Sequence, residues 1–461
     1  MENEKSNSKN SVGVNVIYFI GIGGIGMSAL ARYFHSKGAK VSGYDKTSSS
    51  LTKELEQEGM TIHYEENVDL IPKEAELVVY TPAVPKEHKE LVYYQQHGYK
   101  VVKRSDVLQI ATESSFNICI AGTHGKTTIT TMVAHLLRHA GYGCNAFLGG
   151  ISVNYGTNFW ASERNVSVVE ADEYDRSFLK LSPDIAIITA MDPDHLDIYG
   201  TSEEMEKAFI DFSGKIKEGG LLISKFGLKR AKELKGTRHL SYSAQNNKAD
   251  AHAENIKMIN GSYEFDVVIK DRRIENVRLN IGGMHNAENA VAAITVASSL
   301  NIDEEKIRAA VADFKGVKRR FEYVIKTDEL VFIDDYAHHP EELRALISSA
   351  KSLFSDKKCT VIFQPHLYTR TRDLADGFAE VLDMADEVIL LPIYPARELP
   401  IAGVSSEMIL EKMKSKNKRV FNRDELKDWI KKDFMKQGKV LVTAGAGDID
   451  LFVEPIKEIL K

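Results

Sequence analysis

The chain has 461 residues, too many for one ordinary core and enough for about three compact units that each bury their own apolar surface. Hydrophobic residues at 43% and charged residues at 27% are ordinary for a globular protein and exclude disordered and fibrous classes. A formal net charge of -6 excludes a protein whose main task is neutralising nucleic-acid phosphates, because that calls for a Lys/Arg excess or a clear basic block.

From Met1 to Ser11 the sequence is polar, and the apolar stretch after it is broken by Gly21, Gly23, Gly24 and Gly26. That pattern is neither a signal peptide nor a membrane span, so a cytoplasmic location is expected. The next stretch reads as a strand Val16 to Ile20, a glycine turn, a helix Met27 to Ser36 and a strand Lys40 to Tyr44 ending at Asp45, which is one βαβ unit. Strands at Glu76 to Tyr80 and around Val101 continue the alternation to about Ile110, and the polar run Ala111 to Ser115 reads as a linker.

Gly21-Ile-Gly-Gly-Ile-Gly26 fits G-x-G-x-x-G between a strand and a helix. Glycines there let the backbone approach a diphosphate, and the helix N-terminus favours its charge. NAD or a flavin is the obvious ligand, with Asp45 as the acidic residue that follows. A complete ATP site further along the chain favours a nucleotide-linked substrate instead.

That ATP site starts with the buried-type strand Phe116 to Ala121, the loop Gly122-Thr123-His124-Gly125-Lys126-Thr127-Thr128, and a helix running to Ala140. The loop departs from the strict Walker pattern, since Ile120 stands where its first glycine belongs. Its amides can still wrap phosphate oxygens, Lys126 supplies positive charge for the β and γ phosphates, and the Thr127 hydroxyl can ligate Mg²⁺. Mg²⁺ also needs carboxylates, and Glu170, at the end of the strand Val166 to Val169, can face the loop, with Asp172 and Glu173 following. Asp192-Pro-Asp-His-Leu-Asp197 follows the strand Ile185 to Ala190 and brings His195 to the same sheet edge, as a further metal ligand.

Beyond a strand at Leu221 to Ser224, two alternating segments between Tyr263 and Ile281 flank Lys270-Asp271-Arg272 as a hairpin, and helices follow at Ala287 to Leu300 and Glu304 to Asp313. From Phe321 the α/β alternation restarts, with strands at Val331 to Asp335, Thr360 to Gln364, Glu387 to Leu391 and Val440 to Thr443. Cys119, Cys144 and Cys359 are too few and too scattered for a disulfide framework or metal knuckle, and read as core thiols.

With these motifs in order, the chain strongly resembles the Mur ligases, the ATP-dependent amide-forming enzymes of peptidoglycan precursor synthesis. The likeness rests on Gly21 to Ser28, Ala121 to Thr128, Glu170 to Asp175, Asp194 to Asp197, Gly283 to Asn289, Arg319-Arg-Phe321 and Asp334 to Pro340. It implies an α/β chain of three domains. These are a Rossmann-like UDP-substrate domain (1–112), a central P-loop ATPase-type α/β domain with an antiparallel addition (113–316), and a Rossmann-like amino-acid domain (317–461).

The turn with Met27-Ser28, and Gln364-Pro-His-Leu-Tyr-Thr-Arg-Thr-Arg-Asp373, resemble the members that join L-alanine to the lactyl carboxylate of UDP-N-acetylmuramate through an acyl phosphate. A tripeptide-adding relative is the alternative, and a nicotinamide-dependent dehydrogenase is the alternative of another class. The resemblance implies that Gly23, Gly24, Gly26, Met27, Ser28 and Asp45 meet the UDP substrate. Lys126, His195 and Arg370 would be catalytic, and Thr127, Glu170 and His195 would hold Mg²⁺. His285, Asn286 and Asn289 would face the adenine of ATP, Arg320 its phosphates and Asp335 its ribose. Tyr336, His338 and Arg370 would surround the amino acid. Arg370 and Arg372 could grip its carboxylate bidentately. Leu367 stands where such members often carry Arg, a contact Arg397 could supply, and no carbamate is assigned to Lys207. Neither nucleic acid nor a membrane is an expected partner, and the assembly is expected to be a monomer or homodimer.

Overall fold

The computed structural model describes residues 13–193, 196–396, 398–434 and 438–461. They fall into two compact units, one running to His252 and taking in Val291–Ala310, the other made of Ala253–Ala290 and Val311–Lys461.

In the first unit, β1 (Val16–Ile20), β2 (Lys40–Tyr44), β3 (Thr61–His63), β4 (Leu77–Tyr80) and β5 (Val101–Lys103) form a parallel sheet in the order β3-β2-β1-β4-β5. Ile17 to Ile20 are fully buried, as a parallel strand covered on both faces must be. The order reverses between β1 and β4, and such a switch point opens a ligand crevice at the carboxyl ends of the strands. The glycine turn sits at that edge.

A second sheet of the same unit is built from β6 (Phe116–Ala121), β7 (Asn145–Ser152), β8 (Thr157–Trp160), β9 (Val166–Glu170), β10 (Ile185–Ile188), β11 (Leu221–Lys225) and β12 (Arg238–Ser243). Their order is β12-β11-β10-β6-β9-β7-β8, with only β8 antiparallel to its neighbour. Strand β13 (Ala251–Ile259) joins β12 through Ala251 and His252. The phosphate loop leaves β6 between β9 and β10, so Glu170 and the segment after β10 share its edge.

Two features of this unit differ from the sequence reading. The run Ala111 to Ser115 is no loose linker, because the helix Arg104–Thr112 runs into it and Ala111, Thr112 and Ser115 are buried. Ser115 Oγ donates to Asn117 Oδ1 at 2.6 Å, which anchors the segment to β6. The β7–β8 hairpin was not anticipated, and the helix Ile25–Ser36 packs on it. The Tyr33 ring lies 5.4 Å from that of Phe147, tilted, and meets Phe159 edge-on at 5.9 Å. Beside them, buried Arg32 pairs with Glu54 and Glu58 and donates to Asn158 Oδ1.

The second unit contains the expected hairpin, β14 (Ser262–Ile269) against β15 (Arg272–Leu279). It also holds a sheet of β16 (Glu322–Lys326), β17 (Leu330–Asp335), β18 (Lys358–Phe363), β19 (Glu387–Leu390), β20 (Lys418–Val420) and β21 (Lys439–Ala444). The order is β16-β17-β21-β18-β19-β20, with β16 antiparallel to β17 and the other pairs parallel. Apolar clusters cover both faces, one around Phe363 and Phe378 and one around Leu441 and Trp429. The three cysteines are free and buried, and burial pushes the Cys144 thiol up to about 12, so these are core thiols. Among the described residues no helix is long and apolar enough to cross a membrane.

Candidate active site

The phosphate loop is shaped by two glycines. Gly122 has φ +132°, and a β-carbon there would lie 2.0 Å from Thr189 Oγ1, so only glycine fits against the end of β10. Gly125, at φ +80°, turns the chain into the helix Lys126–His139, whose first N–H groups have no partner within the helix and are free to meet an anion. Thr189 Oγ1 donates to the His124 carbonyl and the Asp192 N–H donates to Thr123 Oγ1, tying the loop to the segment after β10. The His124 side chain is largely exposed, with Nε2 3.8 Å from Asp192 Oδ2. Thr128 is half-buried in the first turn.

Lys126 folds back over this loop. Its Nζ donates to the Gly122 carbonyl at 2.7 Å and to Glu173 Oε1 at 2.8 Å. Glu173 is only 1% exposed; burial pushes its carboxyl up, and the lysine charge pulls it back. Next to the lysine, Thr127 Oγ1 donates to Glu170 Oε1 at 3.0 Å, and the Gly149 N–H of β7 donates to Glu170 Oε2 at 3.1 Å. The carboxylate at the end of β9 therefore faces the loop. Asp172 and Glu173 do not join it: Asp172 pairs with Arg104 and Glu173 with Lys126. His195 lies outside the described residues, as do Asp194 and Arg397.

At the glycine turn, the Gly23 N–H donates to Asp45 Oδ2 at 2.8 Å, so Asp45 braces the loop itself. Met27 and Ser28 are buried to 1% and 0% exposure, and Ser28 Oγ donates to the Ile25 carbonyl while accepting from Asn158 Nδ2. Neither side chain is open to a ligand. What the turn offers is the backbone from Gly23 through Gly24 and Gly26 into the helix.

The second unit gathers the remaining candidates in two groups. At the start of the helix Met284–Ser299, Asn286 Nδ2 donates to the Gly282 carbonyl at 2.6 Å and Asn289 Nδ2 to Asn286 Oδ1 at 3.2 Å, while His285 is exposed. The other group stands at the carboxyl edge of the six-stranded sheet. Asp335 accepts the Phe321 N–H at 2.7 Å and the Ala337 N–H at 2.8 Å, holding the turn in which Arg320 stands. The Arg320 guanidinium lies 5.7 Å from the Tyr336 ring centre, and Tyr336 and His338 rings are 5.3 Å apart. Burial holds the His338 imidazole below its usual value, opposed by Glu342, and the charges of Arg370 and Arg320 depress it further. Among the described residues, the buried Nη1 of Arg370 has no partner, as in a guanidinium awaiting a carboxylate. Arg372 is 52% exposed and pairs with its neighbour Asp373.

Sequence reasoning missed Glu173 as the lysine's counter-ion, Thr189 as the loop's brace, Asn158 beneath the glycine turn, and His366, which stacks on Tyr394 at 5.8 Å and lies 6.2 Å from His338. The motif around Arg370 contained His366, but only the fold brings its ring beside His338.

Three stretches of the chain match models of known protein families. Residues 16–115 match the Mur ligase family catalytic domain, 120–297 the Mur ligase middle domain, and 319–447 the Mur ligase glutamate ligase domain. The chain is 49% identical over 452 residues to a UDP-N-acetylmuramate–L-alanine ligase of Phocaeicola vulgatus, covering 96% of this chain and 98% of that one. It is 50% identical over 456 residues to the ligase of the same name from Parabacteroides distasonis, covering 97% of each. Its fold is similar to the crystal structure of a UDP-N-acetylmuramate-alanine ligase from Thermotoga maritima, at TM-score 0.82 and 30% identity over 96% of this chain and 98% of that one. A murein peptide ligase from Psychrobacter arcticus shares the fold at TM-score 0.68 and 24% identity, over 97% of this chain and 98% of that one.

Proposed function

Because the chain belongs to the Mur ligase family, we propose that it joins L-alanine to the lactyl carboxylate of UDP-N-acetylmuramate at the expense of ATP, in peptidoglycan precursor synthesis. The observation that carries this reading is Lys126 held between the Gly122 carbonyl and Glu173, beside the Thr127–Glu170 pair. That is a cation and a hard-oxygen pair set at a helix N-terminus, which is what a transferring phosphoryl group requires.

The glycine turn takes the diphosphate of the UDP substrate on its backbone N–H groups. Lys126 leaves Glu173 for the β and γ phosphates of ATP and steadies the charge on the γ-phosphoryl as the lactyl carboxylate attacks it in line. The P–O bond to ADP breaks and an acyl phosphate forms. The neutral amine of L-alanine then attacks the acyl carbon, and the tetrahedral intermediate collapses to the amide with loss of phosphate. Arg370 holds the amino-acid carboxylate, with Tyr336 and His338 around it. The roles proposed for Arg320, and for Asn286 and Asn289, are binding of the nucleotide phosphates and of the adenine.

Mg²⁺ fits this donor set. Thr127 and Glu170 offer two hard oxygens, and among the described residues no group of three or more His, Cys, Asp or Glu could hold a metal unaided. An ion there would complete its shell with phosphate and water, as Mg²⁺ does. It would neutralise charge on the β and γ phosphates, with His195 as a further ligand.

The test is phosphate release from ATP with UDP-N-acetylmuramate and a panel of L-alanine, L-serine, glycine and a muramyl-type tripeptide. L-alanine is expected to give the highest kcat/KM, with glycine and L-serine weaker by roughly 10- to 200-fold, the range one small group can discriminate. Lys126→Ala is expected to abolish alanine-dependent phosphate release while UDP binding persists. Turnover with the tripeptide alone would move the assignment to the tripeptide-adding relative, and normal turnover in Lys126→Ala would remove the lysine's role.

A further inference from the structure

One cation of the first unit stands across both of its motifs. Arg104 begins the helix Arg104–Thr112, and its Nη1 lies 2.9 Å from where a β-carbon on Gly26 would be. Its Nη2 donates to Asp172 Oδ2 at 3.1 Å, two residues beyond Glu170. The guanidinium thus lies over the backbone of the diphosphate turn while tethered to the loop that carries Glu170 and Glu173. Arg104, Glu170, Asp172 and Ser177 line a narrow crevice at this point.

The neighbouring cations are spoken for. Lys103 Nζ pairs with Asp175 at 3.2 Å, and Lys180 pairs with Asp106. Arg104 is different because a guanidinium has five N–H donors and, among the described residues, only the hydrogen bond to Asp172 uses one. Its side chain is 21% exposed, with Nη1 close to Gly26 and Glu170 lining the same crevice.

We propose that Arg104 is a substrate-positioning residue: its guanidinium, fixed by Asp172, takes phosphate oxygens of the UDP-linked substrate where the substrate runs from the glycine turn towards the Lys126 site. This rests on the ligase reading above. The planar fork binds two phosphate oxygens at once, which a flexible ammonium cannot. Asp172 keeps the fork in place and is itself screened by it from the incoming phosphates.

Arg104→Met, Arg104→Lys and Asp172→Asn test this, with UDP affinity measured by calorimetry and KM values measured for UDP-N-acetylmuramate, ATP and L-alanine. Arg104→Met is expected to weaken UDP and raise the KM of the UDP substrate by roughly 10- to 100-fold, the range of a lost charge-assisted hydrogen bond. The KM values for ATP and L-alanine should stay within about threefold. Asp172→Asn should fall between Arg104→Met and the unaltered chain. Unchanged UDP affinity in Arg104→Met overturns the proposal, and so does equal weakening of UDP and ATP, the mark of a residue that only holds the fold together.

Should Arg104→Met fail to fold, Arg104→Lys decides. It keeps the charge but loses the fork, and about three- to tenfold weaker UDP is expected, whereas unaltered UDP affinity overturns the proposal. If the unaltered chain binds UDP but releases no phosphate with L-alanine, the ligase reading fails, while the UDP affinities still judge Arg104.

Discussion

Asp334 is 1% exposed, and burial pushes its carboxyl up to about 7, against the pull of Arg319 and the hydrogen bond from Thr443. The unfolded value is about 3.9, so between those two values the folded chain binds the extra proton. The stability this group contributes is therefore present below about pH 4 and lost as pH rises through 7. Asp334→Asn keeps an oxygen for Thr443 and has no proton to lose. Its Tm relative to the unaltered chain should rise from pH 5 to pH 8 in thermal melts, and a difference that stays flat would show that burial is not what shifts this carboxyl. At the same scale, Lys126, Thr127 and Glu170 were legible because strand, loop and helix fix where they point. Glu173 was not: nothing in Glu170-Ala-Asp-Glu173 tells which carboxylate turns inward, and only the fold buries one of them against a lysine 47 positions earlier.

Parallel strands buried on both faces read plainly, since β1 and β10 are uninterrupted apolar runs and β6 is broken only at Asn117. The β7–β8 hairpin escaped because Gly149 and Gly150 lie inside β7, where glycines suggest a turn. Gly149 has another purpose: a β-carbon there would lie 2.2 Å from Glu170 Oε2, so its smallness makes room for the carboxylate beside Thr127. The hairpin also supports the glycine turn. Asn158 is fully buried, donating to the Ile25 carbonyl at 2.6 Å and to Ser28 Oγ at 2.9 Å. Asn158→Ala leaves these acceptors and the Arg32 donor without their partner, at a cost of about 2–3 kcal/mol. Urea unfolding should show that loss as a lower midpoint with an unchanged slope; an unaltered midpoint would mean that water replaces the side chain.

For the molecule as a whole, three sheets were legible from three runs of alternating strand and helix. How they group was not, because residues 253–290 and 291–310 fall in different compact units although they are continuous in sequence. Proteins built of separate cores need not unfold in one step. A ligand stabilises the core that binds it, by about 2.7 kcal/mol at a hundredfold excess over Kd. Calorimetry is expected to resolve two transitions, with UDP raising the one and L-alanine the other. A single transition raised alike by both would mean that the units melt together.

The aromatic contact of Tyr33 with Phe147 and Phe159, and the burial of Arg32 against Asn158, have a practical consequence for anyone cutting the chain. A fragment ending at residue 115 follows the boundary between two family domains, yet it would lay bare one flank of the helix that follows the glycine turn. Expressed alone, it is expected to aggregate or to need a detergent-like additive, whereas a piece that carries the hairpin along with it should stay in solution and retain UDP. Gel filtration of the two pieces would tell them apart. The nucleotide module is a tenant of its neighbour's sheet, and evolution can exchange it only together with the strands on which it leans.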